Sequence, residues 1–329
     1  MRRRRFITGA AATIASPAAL RAGGKAQRLA IFSPFEPIAL MRADSNYRSY
    51  RVLFAELHRL GHVEGQNLTI ERYGREQNTA GLAALASEVV RTKPDLVYAI
   101  GPGAALFKGS TIPVVALTGN PLGQGIAQTL AHPGGNITGV SVDAGPSIQE
   151  KRIELLRGLV PAMTTLGVIV LRTQWEAGAE ETMRAGCDAN GIRCVPALLD
   201  LPTDQTAYRQ AVATAQRGGA EALMIADNPD AFVYNRAIID AAAAARLPSM
   251  YFLREFVEAG GLMAYSFDLV TLNEQAARDI DAILRGARPG EIPFFQNTRF
   301  NLYINLTTAK ALGLAVPQSL LARADEVIE

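Results

Sequence analysis

Short apolar runs alternate with amphipathic stretches along most of this chain. The segment RLAIFSP at 28–34 is apolar until it reaches turn residues, which is typical of a buried strand. Further on, Leu53, Leu57 and Leu60 recur at helical spacing, and Gly61 follows as a stop signal. NLTIERY then alternates like a second strand. The pattern predicts a strand–helix–strand unit at the start of the folded region.

The same alternation continues to the end of the chain. It predicts a parallel sheet with helices on both faces, and its second occurrence predicts two similar doubly wound domains. The fold class is therefore α/β, with two doubly wound Rossmann-like lobes. Further strands are predicted at 96–100, 110–121, 137–143, 164–174, 192–201, 220–230, 248–253 and 260–268, with helices between them.

Ligands of such sheets bind outside the carboxyl ends of the strands. The turns that follow strands are therefore the places to search for a binding site. These turns are predicted at 33–37, 101–105, 118–122, 172–175, 227–230, 253–255 and 266–268.

The first residues have the pattern of an export signal. Four arginines precede a weakly apolar run rich in Ala, Gly, Ser and Thr, and RRRRFITG resembles a twin-arginine signal. Residues 1–26 are therefore predicted to be a signal peptide, with cleavage near Ala18, Ala22 or Ala26. A basic tail that binds nucleic acid is the alternative. The expected location of the mature protein is the periplasm.

Charge argues against a nucleic-acid partner. The whole chain has 33 Lys and Arg against 31 Asp and Glu. Removal of residues 1–22 takes away five arginines, so 33 − 5 = 28 cations remain against 31 anions, a net charge near −3. The basic balance belongs to the signal, and the mature chain lacks the excess of cations that binds phosphates.

Few residues suggest metal or redox chemistry. His58, His62 and His132 do not lie at metal-ligand spacing with a cysteine, so neither a metal nor a cofactor is expected. Cys187 and Cys194 can form a disulfide in an exported protein or remain as two small buried thiols. With 329 residues and no apolar stretch of 18, the chain is expected to form about two domains and not to span a membrane.

Several segments, in order, resemble the ABC transporter substrate-binding proteins related to the tryptophan- and tyrosine-type binders. They include LGHVEGQNLTIE, TIPVVALTGNPLGQGI, HPGGNITGVS, KRIELLRGLVP, REFVEAGGLMAYS and the closing NLYINLTTAKALGLAVPQSLLARADEVIE. The resemblance extends over residues 28–329.

This resemblance implies a type I periplasmic-binding-protein fold, in which two lobes close on a solute. Lobe one is expected at 28–142 plus 266–292, and lobe two at 143–265 plus 293–329. A three-segment hinge is expected near 141–146, 264–267 and 292–296.

In lobe one, Ser33 follows the first strand and can hold a ligand carboxylate, or simply cap a turn. The GPGAA turn offers backbone N–H groups near Gly103 and Ala104, which suit a carboxylate better than a phosphate because no phosphate-loop motif is present. Asn120 stands where the resembling proteins usually have Asp, so it cannot pair with an ammonium as a charge. Asn136 is a candidate contact within a glycine-rich loop.

In lobe two, Arg172 can clamp a carboxylate and Trp175 can stack on a planar group, although a solvated arginine and a packed tryptophan are the alternatives. Asp227 follows a buried strand and can receive an ammonium or hydroxyls. Arg254 and Glu255 either contact ligand or form a bracing ion pair. The predicted ligand-binding residues are Ser33, Pro34, Gly101, Gly103, Ala104, Thr118, Asn120, Asn136, Arg172, Gln174, Trp175, Asp227, Asn228, Arg254 and Asp268.

The sequence therefore predicts an exported, monomeric solute-binding protein that delivers a small organic solute to an ABC permease. The solute is expected to carry a carboxylate, with or without an aromatic group. A ligand sensor that docks on a membrane receptor is an alternative. An α/β enzyme is disfavoured, because no GxSxG motif and no defensible catalytic spacing is present.

Overall fold

The computed structural model describes residues 26–142, 145 and 147–329. The predicted signal at 1–26 lies almost wholly outside the described residues. The strands are β1 Gln27–Phe32, β2 Leu68–Tyr73, β3 Leu96–Ile100, β4 Val114–Thr118, β5 Ile137–Ser141, β6 Thr165–Leu171, β7 Arg193–Leu199, β8 Ala222–Ile225, β9 Ser249–Tyr251, β10 Met263–Phe267, β11 Phe295–Gln296, β12 Phe300–Asn305 and β13 Glu326–Ile328.

The helices lie between these strands; the strand predicted at 164–174 ends at Leu171, and Arg172–Gln174 form a short helix instead. They are α1 Arg48–Arg59, α2 Leu82–Thr92, α3 Ser147–Leu159, α4 Arg172–Gln174, α5 Glu180–Ala189, α6 Gln205–Arg217, α7 Pro229–Val233, α8 Asn235–Ala244, α9 Arg254–Glu258, α10 Leu269–Leu284, α11 Leu306–Ala311 and α12 Gln318–Leu321. A π-helical turn at Trp175–Ala179 joins α4 to α5.

Lobe one is built on a parallel sheet with the strand order β11-β5-β4-β3-β1-β2. Helix α10, which follows β10 of the second sheet, packs beside α1 on one face of this sheet. On that face Leu53 and Leu57 are buried, as the helical spacing predicts. Tyr98 of β3 donates a hydrogen bond of 2.9 Å to Asn273 of α10, which ties the late helix to the early sheet.

Lobe two contains the sheet β13-β12-β10-β9-β8-β6-β7. Every neighbouring pair in it is parallel except β10 and β12, so β12 and β13 run antiparallel to the other five strands. The closing segment of the chain forms β12, α11, α12 and β13, and so completes this sheet. The predicted fold class of two doubly wound α/β lobes is confirmed.

The strand pairings show which sheet the residues near the expected lobe boundaries join. β10 pairs within the second sheet as far as Phe267, one residue beyond the expected start of a lobe-one segment at 266. Phe295 and Gln296 pair with β5 of the first sheet, although 293 was expected to begin lobe two.

The described residues contain no helix long and apolar enough to cross a membrane. Nor do they contain a group of three or more His, Cys, Asp or Glu side chains that could hold a metal ion. Cys187, buried on α5, and Cys194, at the start of β7, are free thiols.

Candidate ligand-binding site

A cavity of about 380 Å³ lies between the two lobes, beside the segments that cross from one to the other. The amino ends of α1 and α10 reach it from lobe one, and the amino end of α9 reaches it from lobe two. Its size falls in the range of small-molecule sites. The lining residues are Arg48, Ser49, Arg254, Glu255, Phe267, Asp268, Leu269, Val270, Thr271, Phe295, Asn297, Thr298, Arg299, Asn301 and Tyr303.

Arginines supply most of the charge in this cavity. Arg254 is neutralised inside lobe two, because it forms ion pairs with Glu258 at 2.8 Å and Glu326 at 3.0 Å. Arg48 and Arg299 form no ion pair with any residue that the structure describes; Arg299 only donates to Asn301 at 3.3 Å. Two guanidinium groups, one at the start of α1 and one on a segment that crosses between the lobes, are therefore available to an anionic group.

The two acidic side chains in the cavity differ in how free they are to bind a ligand. Asp268 caps α10, with its oxygens accepting from the backbone of Val270 and the hydroxyl of Thr271 at 2.9 Å each. Burial raises the pKa of Glu255, while its own backbone N–H and the charges of Arg254 and Arg48 act in the opposite direction. Glu255 is thus the carboxylate best placed to receive a cationic or hydroxyl group.

Aromatic rings complete the cavity wall. Phe267, Phe295 and Tyr303 all line it, and the Arg254 guanidinium lies 5.3 Å from the centre of the Tyr303 ring. Rings beside guanidinium groups favour a ligand that is both anionic and partly apolar.

Of the predicted ligand-binding residues, the structure brings Arg254 and Asp268 into this cavity. The others lie along the carboxyl edges of the two sheets or elsewhere. Ser33 is fully buried after β1 and donates a hydrogen bond of 2.6 Å to Glu36, a residue that Tyr50 also contacts through its hydroxyl. Burial raises the pKa of Glu36 despite these two donors.

The predicted turn residues of lobe one are mostly packed. Gly103 lies so close to Phe32 that a Cβ atom would come within 2.5 Å of the ring, and Ala104 is fully buried beside it. Gly101 has a φ of +81°, which favours glycine. Pro34 is buried as well, with its carbonyl accepting from Asn78 at 3.4 Å. These residues shape the sheet edge rather than a cavity wall.

Three polar candidates in lobe one are engaged by the protein itself. Thr118 is buried and donates to Gln124 at 2.9 Å. Asn120 is exposed and accepts from the backbone of Gly123 at 2.7 Å, so it closes a turn. Asn136 precedes β5 and therefore lies at the amino edge of the sheet, where its amide donates to the carbonyls of Phe107 and Ile112 at 2.9 Å each.

The predicted clamp after β6 is also rearranged. Arg172 is exposed and pairs with Asp200 at 2.8 Å within lobe two. Trp175 is only 5% exposed, packs in the apolar core of lobe two and carries Arg184 over its ring at 5.6 Å. The ring therefore has a guanidinium of its own lobe as a partner, as in the packed alternative, and stacking of Trp175 on a ligand stays a prediction.

Asp227 has a partner that the sequence alone does not reveal. Both of its oxygens accept from Arg152, at 2.6 and 3.1 Å, and the Arg152 side chain is completely buried. Gln149 donates to the same carboxylate at 3.1 Å, and Gln174 donates to its backbone carbonyl at 2.8 Å. Arg152 therefore supplies the positive charge that a ligand ammonium was predicted to bring to Asp227. The two residues are 75 positions apart in the sequence.

Asn228 caps α7, since its oxygen accepts from the backbone of Asp230 at 3.0 Å. Its amide donates to Tyr208 at 3.2 Å, and Tyr208 in turn lies 3.3 Å from Asp230. Burial raises the pKa of Asp230 to about 6. Asn228 therefore supports a buried polar network in lobe two.

Arg48, Arg299 and Tyr303 were missed as candidates. Arg48 lies at the start of a helix, and the other two lie in the closing segment, so none directly follows a strand of a doubly wound unit. A signal was present in the sequence: NTRFNLYIN places an arginine beside a predicted crossing.

Comparison with known proteins agrees with this architecture. The family model described as ABC transporter substrate binding protein matches residues 38–328. A protein named tyrosine-binding protein from Clostridioides difficile (strain R20291) is 25% identical over 261 residues, which cover 77% of this chain and 73% of that protein.

Solved structures show the same fold. A conserved domain protein from Vibrio cholerae O1 biovar El Tor str. N16961 has a TM-score of 0.79 at 24% identity, over 92% of this chain and 100% of that chain. The ABC domain in complex with L-Trp from Streptococcus pneumonia has a TM-score of 0.76 at 21% identity, with coverage of 92% and 100%.

Proposed function

We propose that this chain, which belongs to the ABC transporter substrate-binding protein family, captures a small carboxylate-bearing solute in the cavity between its lobes and delivers it to a permease. The family is one of solute-binding proteins rather than enzymes. The observation that supports capture at this position is a cavity of about 380 Å³ whose walls come from both lobes and from the crossing segments. Closure of the lobes then changes the shape that a permease meets.

The charges around the cavity support a ligand that is anionic at one end. Arg48 and Arg299 can bind a carboxylate, and Glu255 can receive an ammonium or hydroxyl group. Phe267 and Phe295 offer apolar contact for a side chain. An aromatic amino acid meets all three demands, and relatives bear names that refer to tyrosine and L-Trp. We therefore place aromatic amino acids first among the candidate solutes.

Titration calorimetry with L-tryptophan and L-tyrosine tests this assignment. We expect binding, and we expect Arg299→Ala to weaken it roughly tenfold or more, because a charge-assisted contact contributes about 1.5–3 kcal/mol. Arg236→Ala is the matched control, since Arg236 is exposed and pairs with Asp240 at 3.0 Å, outside the cavity. Unchanged affinity in Arg299→Ala would remove this arginine from the site.

Thermal unfolding widens the same test. A bound solute raises the melting temperature by an amount that grows with its concentration relative to its dissociation constant. If neither the aromatic amino acids nor other amino acids and simple carboxylates raise it, the proposed ligand class is wrong.

The amino-terminal sequence supports export to the periplasm, and RRRRFITG supports the twin-arginine route. We expect a chain shortened near residues 18–26 in the periplasmic fraction, detected by mass spectrometry of the intact protein. A full-length chain confined to the cytoplasm would contradict export.

A lone peak at the mass of one chain in native mass spectra would support the expected monomer.

A further inference from the structure

The two lobes touch at a second place, apart from the cavity. Arg75 follows β2 in lobe one, and its guanidinium donates a hydrogen bond of 2.7 Å to the hydroxyl of Tyr234 in lobe two. The same guanidinium lies over the Tyr234 ring, 5.4 Å from its centre. Beside this pair, the rings of Tyr47 in lobe one and Phe232 in lobe two lie 4.5 Å apart. None of these four residues lines the cavity.

These contacts lie far from the segments that cross between the lobes, so they respond strongly to opening and closure. In lobe one, β2 is the edge strand farthest from β5 and β11, the strands that lead into the crossings. The contacts therefore join the margins of the lobes that separate most when the hinge opens. A contact at that margin exists only in the closed arrangement.

Both halves of the contact are held rigidly within their own lobes. In lobe one, the backbone N–H of Arg75 donates to the Glu36 carbonyl at 2.8 Å. In lobe two, the Tyr234 hydroxyl donates to the Thr203 carbonyl at 3.2 Å, and its ring lies 5.6 Å from that of Tyr208. The Thr203 hydroxyl is bound to Asp230, so the buried network around Asn228 fixes the surface that Arg75 meets.

The chemistry suits a reversible contact. Arg75 pairs with a neutral hydroxyl and a ring, and it forms no ion pair with a described carboxylate. Opening returns the guanidinium to water and withdraws its favourable charge from the buried carboxyl of Asp230, which keeps its contacts with the Thr203 and Tyr208 hydroxyls within lobe two. The attraction of Arg75 to a ring and a hydroxyl still favours the closed form.

We propose that Arg75, Tyr234, Tyr47 and Phe232 form an interlobe clasp that sets how far the protein closes on its own, before any solute binds. Solute affinity then scales with a common factor, the closed fraction, whatever the solute is. A residue in the clasp acts on closure, whereas a residue in the cavity acts on one class of ligand. The clasp rests on contacts between the lobes and needs no assumption about solute identity.

Small-angle X-ray scattering of the solute-free protein tests the clasp directly. We expect Arg75→Ala and Tyr234→Phe to raise the radius of gyration above that of the wild type. Arg59→Ala is the control, because Arg59 is exposed and pairs with Glu56 of its own helix at 2.7 Å; we expect it to scatter like the wild type. Far-ultraviolet circular dichroism shows that each variant is folded. Wild-type scattering from both clasp variants would overturn the proposal.

Affinity measurements separate the clasp from the binding site. With L-tryptophan and any other captured solute as probes, Arg75→Ala should weaken all of them by one factor, roughly tenfold, through faster dissociation. Weakening of only one solute, with scattering unchanged, would make Arg75 a ligand contact and overturn the clasp. The scattering experiment uses no solute, so its result holds even if the proposed class of ligand is wrong.

Discussion

Replacing Arg152 by Met is expected to lower the free energy of unfolding by about 3 kcal/mol. Arg152 is completely buried, and its guanidinium donates to both oxygens of Asp227 and to the Tyr265 carbonyl at 3.0 Å. Methionine fills much of the same volume, so the principal loss is the partner of the carboxylate. The Asp227 side chain is 36% exposed, which lets water solvate part of its charge and sets the loss at the lower end of the usual range of about 3–5 kcal/mol.

Urea unfolding at pH 7.5 measures this loss through the transition midpoint. Arg323→Met is the matched control, because Arg323 pairs at 3.1 Å with Glu154, which lies on α3 as Arg152 does, and both side chains of this pair are nearly half exposed. An exposed pair contributes at most about 1 kcal/mol. The double variant Arg152→Met, Asp227→Leu should recover part of the loss, since it removes both charges. If Arg152→Met proves as stable as Arg323→Met, the buried ion pair does not stabilise the lobe.

The sequence predicts the fold better than it predicts the site, and Arg152 shows why. Alternating apolar runs are local signals, so β1, α1 and β2 can be read from neighbouring residues. Arg152 and Asp227 are 75 residues apart, and only the packed lobe makes one the partner of the other. The topological rule placed Asp227 correctly after a buried strand. What it could not supply was that a buried guanidinium already occupies its carboxylate.

The cavity was missed for a related reason. The rule that ligands lie at the carboxyl ends of strands directs attention to turns such as 101–105, and there Gly103 allows close packing against Phe32 while Gly101 adopts a positive φ. Arg299 instead lies between β11 and β12, on a crossing between lobes. Crossings carry no periodic pattern, and their side chains become neighbours only when both lobes are assembled.

Replacing Asp279 by Asn is expected to reduce the fall in the free energy of unfolding that Asp279 causes between about pH 4 and about pH 7. Asp279 lies on α10, is 3% exposed and accepts a hydrogen bond of 2.9 Å from Gln275 at one oxygen. Its other oxygen is buried without a hydrogen-bond partner among the described residues. Burial raises the pKa of this carboxyl from 3.8 to about 7. The folded protein therefore holds a proton that the unfolded chain has already released between about pH 4 and pH 7.

The sign of the effect follows from this difference in proton binding. Where the folded state binds more protons, stability falls as pH rises, so the contribution of Asp279 to stability should fall from about pH 4 to about pH 7 and then level off. At pH 8.5 the ionised, buried carboxylate costs up to about 4 kcal/mol, and the neutral amide of the variant avoids this cost. Asp230, whose pKa is raised to about 6, leaves a smaller slope of the same sign in the variant.

Urea unfolding at pH 5 and pH 8.5 isolates the contribution of Asp279. The fall in unfolding free energy between the two pH values should be smaller in Asp279→Asn than in the wild type by about 2–4 kcal/mol. Comparing the two falls cancels any constant cost of a buried amide, because that cost is the same at both pH values. Asp240→Asn is the control: Asp240 is exposed, pairs with Arg236 and should leave the fall unchanged. Equal falls in the wild type and Asp279→Asn would mean that this carboxyl is ionised in the folded protein at pH 5, and hence that water or a cation reaches it inside lobe one.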